Sequence, residues 1–186
     1  MKRAIDFAAA GLGLAVLGLP MLAIAALIRL TSPGPAVYWS QRVGANNALF
    51  AMPKFRTMRI DTPEVATHLL VNPGQWVTPI GRVLRRLSLD ELPQLWSVLR
   101  GDMSLVGPRP ALHSQKDLIS LRTAVGVHRL RPGVTGWAQI NGRDELPIEE
   151  KLKFDWQYLK RRSTGFDLYV LAATVAPVLT GRGVRH

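Results

Sequence analysis

An uninterrupted apolar stretch near the N-terminus constrains this 186-residue chain more than any other feature. Residues 7–28 carry no charge and consist mainly of Ala, Leu, Gly, Ile and Val, which is enough to cross a bilayer core as a helix. A secretory signal peptide is the competing interpretation. However, the run is longer than a usual signal core, and no small-residue cleavage site precedes Arg29. The sequence therefore predicts a membrane-inserted helix.

The charges on either side of this stretch bear on its topology. Lys2 and Arg3 precede it, and the cations that follow it are Arg29, Arg42, Lys54, Arg56 and Arg59. The positive-inside rule places both flanks in the cytoplasm, which a simple span cannot satisfy. Pro20 removes a helical hydrogen bond and is a natural break point. We therefore expect a re-entrant helix with a break near Pro20, and a kinked full span is the alternative.

Composition limits the partners and the chemistry. Lys and Arg number 24 against 13 Asp and Glu, and the net charge of +11 predicts an anionic partner: nucleic acid, an acidic membrane surface or a phosphorylated substrate. Cysteine is absent, which excludes disulfides and thiolate metal sites. The histidines are scattered without metal-ligand spacing, so a zinc site is not expected.

The rest of the chain reads as mainly helical with a few short strands. Extended segments are predicted at residues 36–44 and from residue 49 onward, where Lys54, Arg56 and Arg59 make a basic edge that is either a solvated strand face or a phosphate site. Apolar spacing predicts an amphipathic, arginine-bearing helix at 80–87 and a second helix that ends at Gly101. Further helices are expected at 113–127 and 144–160, and an apolar one at 168–179.

Two adjacent acids, Asp90 and Glu91, stand between arginines and an apolar run. Ser88 precedes Glu91 at capping-box spacing, so both acids could simply stabilise the start of a helix. A helix N-terminus also keeps a carboxylate ionised and binds phosphate, so Asp90 could instead be a nucleophile toward an anionic substrate. The motif alone favours neither interpretation.

Arg109 lies between Pro108 and Pro110, which hold it in a non-helical backbone. Such a stiff loop is either a surface turn or a preorganised site for phosphate or carboxylate. Residues 129–143 form another glycine-rich, arginine-flanked segment, but they match neither standard phosphate-loop pattern.

Taken in order, the motifs are the proline-bearing apolar segment and residues 54–58 (KFRTM), 88–95 (SLDELPQL), 101–110 (GDMSLVGPRP) and 131–136 (RPGVTG). This series resembles the bacterial sugar transferase family, the small monotopic phosphoglycosyl transferases that begin surface-glycan assembly. The resemblance covers nearly the whole chain. It corresponds to the minimal catalytic form, without the extra membrane-spanning domain of larger relatives.

The resemblance implies transfer of a phospho-sugar from a UDP-sugar to a polyprenyl (undecaprenyl) phosphate, with release of UMP. It implies that Asp90 is the nucleophile that forms a phosphosugar intermediate, that Glu91 assists, and that both carboxylates bind Mg²⁺. Positions that match substrate-contacting ones in the family are Lys54, Arg85, Arg109, Arg131, Asp155 and Asp167.

The resemblance also implies an architecture. Residues 1–32 would form the re-entrant membrane helix, and residues 33–186 a compact cytoplasmic catalytic domain with interfacial amphipathic helices, on the cytoplasmic face of the bacterial inner membrane. The chain departs from many relatives at Leu19, where a serine usually precedes the proline, so the hydroxyl that could satisfy a freed carbonyl is missing. Ser97 also stands where asparagine is common.

The expected partners are a UDP-sugar, a polyprenyl phosphate and membrane lipid, without nucleic acid; a homodimer is left open. The alternative function is a non-catalytic, basic, membrane-anchored binding protein. Against that alternative, the cations cluster at turn motifs with interleaved acids instead of forming one basic stripe.

Overall fold

The computed structural model describes residues 1–63, 72–142 and 146–180. The helices are α1 (Lys2–Thr31), α2 (Pro79–Arg86), α3 (Gln94–Arg100), α4 (Lys116–Ala124), α5 (Trp137–Ile140), α6 (Ile148–Arg161) and α7 (Thr164–Thr180). The strands are β1 (Val37–Val43), β2 (Leu49–Phe55), β3 (Ser104–Val106), β4 (Ala111–Leu112) and β5 (Gly133–Thr135). The predicted class, mainly α with a few short strands, is confirmed.

Within the described part of the chain, α1 is the one helix long and apolar enough to cross a membrane. It runs from Lys2 to Thr31 with Pro20 inside it, and the re-entrant topology stays a prediction. One face packs on the rest of the protein through residues such as Ala10 and Ile28. The other face exposes large apolar side chains: Phe7, Leu12, Val16, Leu19, Leu22, Leu27 and Leu30. A stripe of this kind suits a lipid-facing surface.

Both ends of α1 are bound to the same folded domain. At its start, the Lys2 amine donates to Asp167 Oδ2 at 2.6 Å, and Arg3 donates to carbonyl oxygens at the end of α3. Just past its last residue, Arg56 Nη2 donates to the Ser32 carbonyl oxygen at 2.9 Å. The helix therefore lies along the domain, and neither end projects away from it.

The strands form two small sheets. In the first, β1 pairs antiparallel with both β2 and β4, and its pairing with β2 runs from Val37 opposite Phe55 to Val43 opposite Leu49. In the second, β3 and β5 are parallel. The extended segments predicted at 36–44 and from residue 49 are confirmed. Met52 of β2 is buried in the core, and Lys54, two residues on, lies on the same side of the strand.

The helices around the acidic pair follow the sequence pattern. α2 begins after Thr78, whose hydroxyl accepts a hydrogen bond from the Gly81 amide, and α3 ends at Gly101, whose φ of +95° is the left-handed geometry that glycine favours. The helices predicted at 113–127, 144–160 and 168–179 are found as α4, α6 and α7. Residues 143–145, where the second of these was expected to begin, lie outside the described residues.

Candidate active site

Asp90 and Glu91 lie in a short 3-10 segment, Leu89–Glu91, between α2 and α3. The backbone of Ser88 is left-handed, with φ of +55°, and its side chain caps no helix. The next helix, α3, begins only at Gln94. The predicted capping box is therefore wrong: cations from distant parts of the chain hold the Glu91 side chain, which cannot turn back to the Ser88 amide.

Two cations share one oxygen of Glu91. Oε1 accepts hydrogen bonds from Lys54 Nζ at 2.8 Å and from Arg109 Nη2 at 3.1 Å. Lys54 comes from the end of β2, and Arg109 from the loop between β3 and β4. The Lys54 and Glu91 side chains are only 17% and 18% exposed, so water screens this contact weakly. The charge-assisted hydrogen bonds are therefore stronger than they would be at an exposed site.

A third cation, Arg85, faces Asp90 from α2. Its Nε donates to Thr57 Oγ1 at 2.8 Å, which orients the guanidinium, and its charge acts on Asp90. Asp90 is 8% exposed, and its carboxylate accepts no hydrogen bond from the described residues. Asp90 is therefore a buried carboxylate that lies in the field of nearby cations.

The two neighbouring acids have opposite pKa shifts. Burial raises the pKa of Asp90, and the negative charge of Glu91 acts in the same direction. Together they outweigh the opposing charges of Lys54, Arg85 and Arg109. Burial also acts upward on the pKa of Glu91, but the charges and hydrogen bonds of Arg109 and Lys54 outweigh it and hold that pKa well below its usual range. Glu91 is thus a fixed anion, and Asp90 is the more basic carboxylate, which suits a nucleophile.

The carboxylate oxygens of Asp90 and Glu91 could serve as donors to a metal ion. Over residues 1–63, 72–142 and 146–180 there is no group of three or more His, Cys, Asp or Glu side chains that could hold an ion. Mg²⁺ is commonly held by one or two carboxylates, with substrate phosphates and water completing its octahedral shell. The adjacent carboxylates of Asp90 and Glu91 would fit this kind of site.

Of the substrate-contacting residues predicted from the sequence, the structure brings Lys54, Arg85 and Arg109 to the acidic pair. Arg131 instead donates through Nε to the Gly101 carbonyl oxygen at 2.9 Å. It forms no hydrogen bond or ion pair with either acid.

The other two predicted residues have partners of their own. Asp155 is 1% exposed and accepts two hydrogen bonds from Arg122, at 2.9 and 2.6 Å. Asp167 accepts from Lys2 at 2.6 Å and from the Tyr158 hydroxyl at 2.6 Å, so it fastens the start of α1 to α6 and α7. The structure brings neither aspartate to the acidic pair.

Two further residues support the site and were not predicted from the sequence. Thr57, which orients Arg85, belongs to the same motif as Lys54, so that motif was a usable signal. Arg122, which binds the Arg109 carbonyl oxygen, gives no such signal, because it stands alone as a cation among apolar and polar residues late in α4.

Comparison with known proteins gives consistent matches. A family model described as bacterial sugar transferase matches residues 1–181. The uncharacterized sugar transferase EpsL of Bacillus subtilis (strain 168) is 40% identical over 186 residues, which cover 100% of this chain and 91% of EpsL. A UDP-glucose:undecaprenyl-phosphate glucose-1-phosphate transferase of Caulobacter vibrioides is 43% identical over 190 residues, covering 96% of this chain and 70% of that protein.

A longer relative is the UDP-N-acetylgalactosamine-undecaprenyl-phosphate N-acetylgalactosaminephosphotransferase of Aeromonas hydrophila. It is 36% identical over 190 residues, which cover 100% of this chain but 45% of that protein. The matches thus extend over essentially the whole chain, including the acidic pair and the three cations around it. The chain belongs to the bacterial sugar transferase family.

Proposed function

We propose that this protein transfers a phospho-sugar from a UDP-sugar to a polyprenyl phosphate, such as undecaprenyl phosphate, and releases UMP. The observation that carries the proposal is the contrast within the acidic pair. Glu91 accepts hydrogen bonds from two cations, whereas Asp90 is buried among the charges of Lys54, Arg85 and Arg109 and accepts no hydrogen bond from the described residues. The names of the Aeromonas and Caulobacter relatives, which describe phosphotransfer to undecaprenyl phosphate, support the same reaction class.

In the first step, a carboxylate oxygen of Asp90 attacks the phosphorus that carries the sugar. A bond forms between that oxygen and phosphorus, and the bond from phosphorus to the bridging oxygen breaks, so UMP leaves with the electron pair. The product is a sugar phosphate joined to Asp90 as an acyl phosphate. A carboxylate with a raised pKa and no hydrogen bond from the described residues is suited to this attack, because none of those residues must first release it.

In the second step, an oxygen of the polyprenyl phosphate attacks the same phosphorus. The new oxygen–phosphorus bond joins lipid phosphate to sugar phosphate, and the bond to Asp90 breaks, which returns the free carboxylate. Glu91 keeps Lys54 and Arg109 at fixed positions through both steps, because its anionic oxygen holds both donors. Asp90 is the nucleophile of the first step and the leaving group of the second, so one carboxylate is sufficient for both.

The attack of an anion on a diphosphate must overcome charge repulsion. Lys54, Arg85 and Arg109 provide fixed positive charge in a largely buried site, where preorganised electrostatics stabilise developing charge most effectively. When bound through Asp90 and Glu91, Mg²⁺ supplies Lewis-acid neutralisation of the diphosphate. Glu91 holds Lys54 and Arg109, and Thr57 orients Arg85, so all three cations have fixed side-chain partners.

We further propose that residues 1–32 insert into the cytoplasmic leaflet of the bacterial inner membrane as a re-entrant segment, and that residues 33–186 lie on the cytoplasmic face. The bonds from Lys2 to Asp167 and from Arg56 to Ser32 support this topology, because a helix fixed at both ends to one domain cannot place those ends on opposite sides. The exposed apolar stripe of α1 would face lipid.

The test is a UMP-release assay with purified protein, undecaprenyl phosphate, Mg²⁺ and a panel of UDP-sugars. We expect release with at least one sugar and its loss in Asp90→Asn, while Lys116→Met, an exposed change on α4, retains wild-type release. Mass spectrometry of the protein mixed with UDP-sugar alone should detect a sugar phosphate on Asp90. A direct transfer without an intermediate would give the lipid product and no adduct on Asp90. Absence of UMP release with every sugar of the panel would contradict the proposed reaction.

A further inference from the structure

Arg122 of α4 is a charged side chain held inside the protein, with only 9% of its surface exposed. Its Nε and Nη2 donate to Asp155 Oδ2 at 2.9 and 2.6 Å, and its Nη1 donates to the Arg109 carbonyl oxygen at 2.8 Å. Burying a guanidinium is costly unless it is paired and hydrogen-bonded. One of the two groups that compensate Arg122 is the backbone of a residue whose side chain contacts Glu91.

We propose that Arg122 and Asp155 form a positioning pair: they fix the loop that carries Arg109 and so aim its guanidinium at Glu91 and at the incoming diphosphate. This inference rests on the proposed function. Neither residue of the pair forms a hydrogen bond or ion pair with Asp90 or Glu91, so both act through Arg109. Asp155, which the family resemblance places among the substrate contacts, takes its role from Arg122 instead.

Hydrogen bonds to its backbone carbonyl oxygens fix the loop at residues 108–110. Three consecutive ones accept hydrogen bonds: Pro108 from the Gly133 amide at 2.9 Å, Arg109 from Arg122, and Pro110 from Arg42 at 3.3 Å. The two prolines have no N–H to donate, and Pro110 also restricts the backbone of the residue before it. The orientation of this stretch therefore depends on donors that reach it from outside, and Arg122 is the one that binds the central residue.

The geometry requires arginine at this position. Its planar guanidinium can serve Asp155 with one edge and the loop with its remaining nitrogen, whereas a lysine amine is a single point of donation. Asp155, 1% exposed, supplies the compensating negative charge and fixes the rotation of the guanidinium. Arg122→Lys therefore keeps the charge but loses the simultaneous contact, and Asp155→Asn keeps the shape but weakens the hold.

The kinetic test is a double-mutant cycle on UMP release. We expect Arg122→Lys to lower kcat by about 10- to 100-fold, the range that misplacement of a positioning group produces. In an Arg109→Met background the same change should cost less than roughly threefold, because the residue it positions is already gone. An equal loss with and without Arg109, or no loss in either background, overturns the proposal. The matched control is Lys116→Met, an exposed cation on the same helix.

A second measurement follows the loop without using activity. In the purified full-length protein, hydrogen exchange of residues 104–112 should accelerate in Arg122→Lys and, to a smaller extent, in Asp155→Asn, relative to Lys116→Met. Exchange in α1 should remain as in the wild type, which excludes general unfolding. Unchanged exchange at 104–112 in both variants overturns the proposal. If exchange at 104–112 accelerates in the variants but the wild type releases no UMP from any sugar, the proposed reaction is contradicted and the positioning pair is still supported.

Discussion

The contact between Lys54 and Glu91 offers a sharp test of how the site is stabilised. Lys54→Met removes one of the two donors to Glu91 Oε1 while Arg109 remains, and both side chains of the lost contact are more than four-fifths buried. A hydrogen bond to a charged group contributes about 1.5–3 kcal/mol. Because Arg109 still compensates Glu91, we expect a loss of about 2 kcal/mol, or roughly 4–8 °C in the thermal midpoint of a domain of this size.

The double variant Lys54→Met with Glu91→Gln separates stability from catalysis. Glu91→Gln alone removes the carboxylate that Lys54 contacts in a mostly buried place, so it also costs stability. Removing both charges should cost less than the sum of the two single changes by about 1 kcal/mol or more. Activity should not recover, because the missing cation normally stabilises transition-state charge; a loss of roughly 10²–10³-fold in kcat is expected for Lys54→Met and for the double variant.

The measurements are thermal unfolding in detergent and UMP release, made on the wild type, the two single variants and the double variant. Lys153→Met, an exposed lysine on α6, is the control for loss of one positive charge. It should leave both quantities close to the wild type. If the stability losses of the single variants simply add, Lys54 and Glu91 are not coupled as their 2.8 Å contact implies. If Lys54→Met keeps kcat within about threefold, the electrostatic argument fails.

Two further outcomes follow from the placement of the other predicted residues. Arg131→Met should change kcat/KM for the UDP-sugar by less than about threefold, since Arg131 binds the Gly101 carbonyl oxygen. A loss as large as that of Lys54→Met would show that Arg131 contacts the substrate after all. Asp167→Asn should lower the thermal midpoint by weakening the bonds from Lys2 and Tyr158, and should speed tryptic cleavage at Lys2, whereas unchanged cleavage would show that this contact does not hold the start of α1.

The parts of the fold that depend on local pattern were predictable from the sequence. Hydrophobic period and breaker residues locate α2, β1 and the end of α3 to within a residue or two, because those signals act over one or two turns of chain. The family motifs that contain Lys54 and Arg109 direct both residues to the acidic pair in the same way, since each motif includes the residues that shape its own turn or strand.

The parts that depend on partners far away in the chain were not predictable. Arg122 and Asp155 are 33 residues apart, and Lys2 and Asp167 are 165 apart, so no spacing rule relates them. The failed capping box has the same origin. In a capping box, Glu91 would accept a hydrogen bond from the Ser88 amide. Lys54 and Arg109, which come from other elements, instead form stronger, charge-assisted bonds with Glu91 in a partly buried place, and these bonds determine the direction of its side chain.

The leucines beside the acidic pair pack with α1, and this packing bears on how the proposed reaction could join a soluble and a lipid substrate. Leu89 and Leu92 flank Asp90 and Glu91, and both pack on the cluster that contains Ile28 of α1. The carboxylates cannot shift along α1 without opening this cluster, because close-packed interiors resist sliding. If α1 is the segment that enters lipid, its depth therefore sets the depth of Asp90. The phosphate of a polyprenyl phosphate is confined to the headgroup level by its apolar chain, so a nucleophile fixed at one depth can meet it without searching the bilayer.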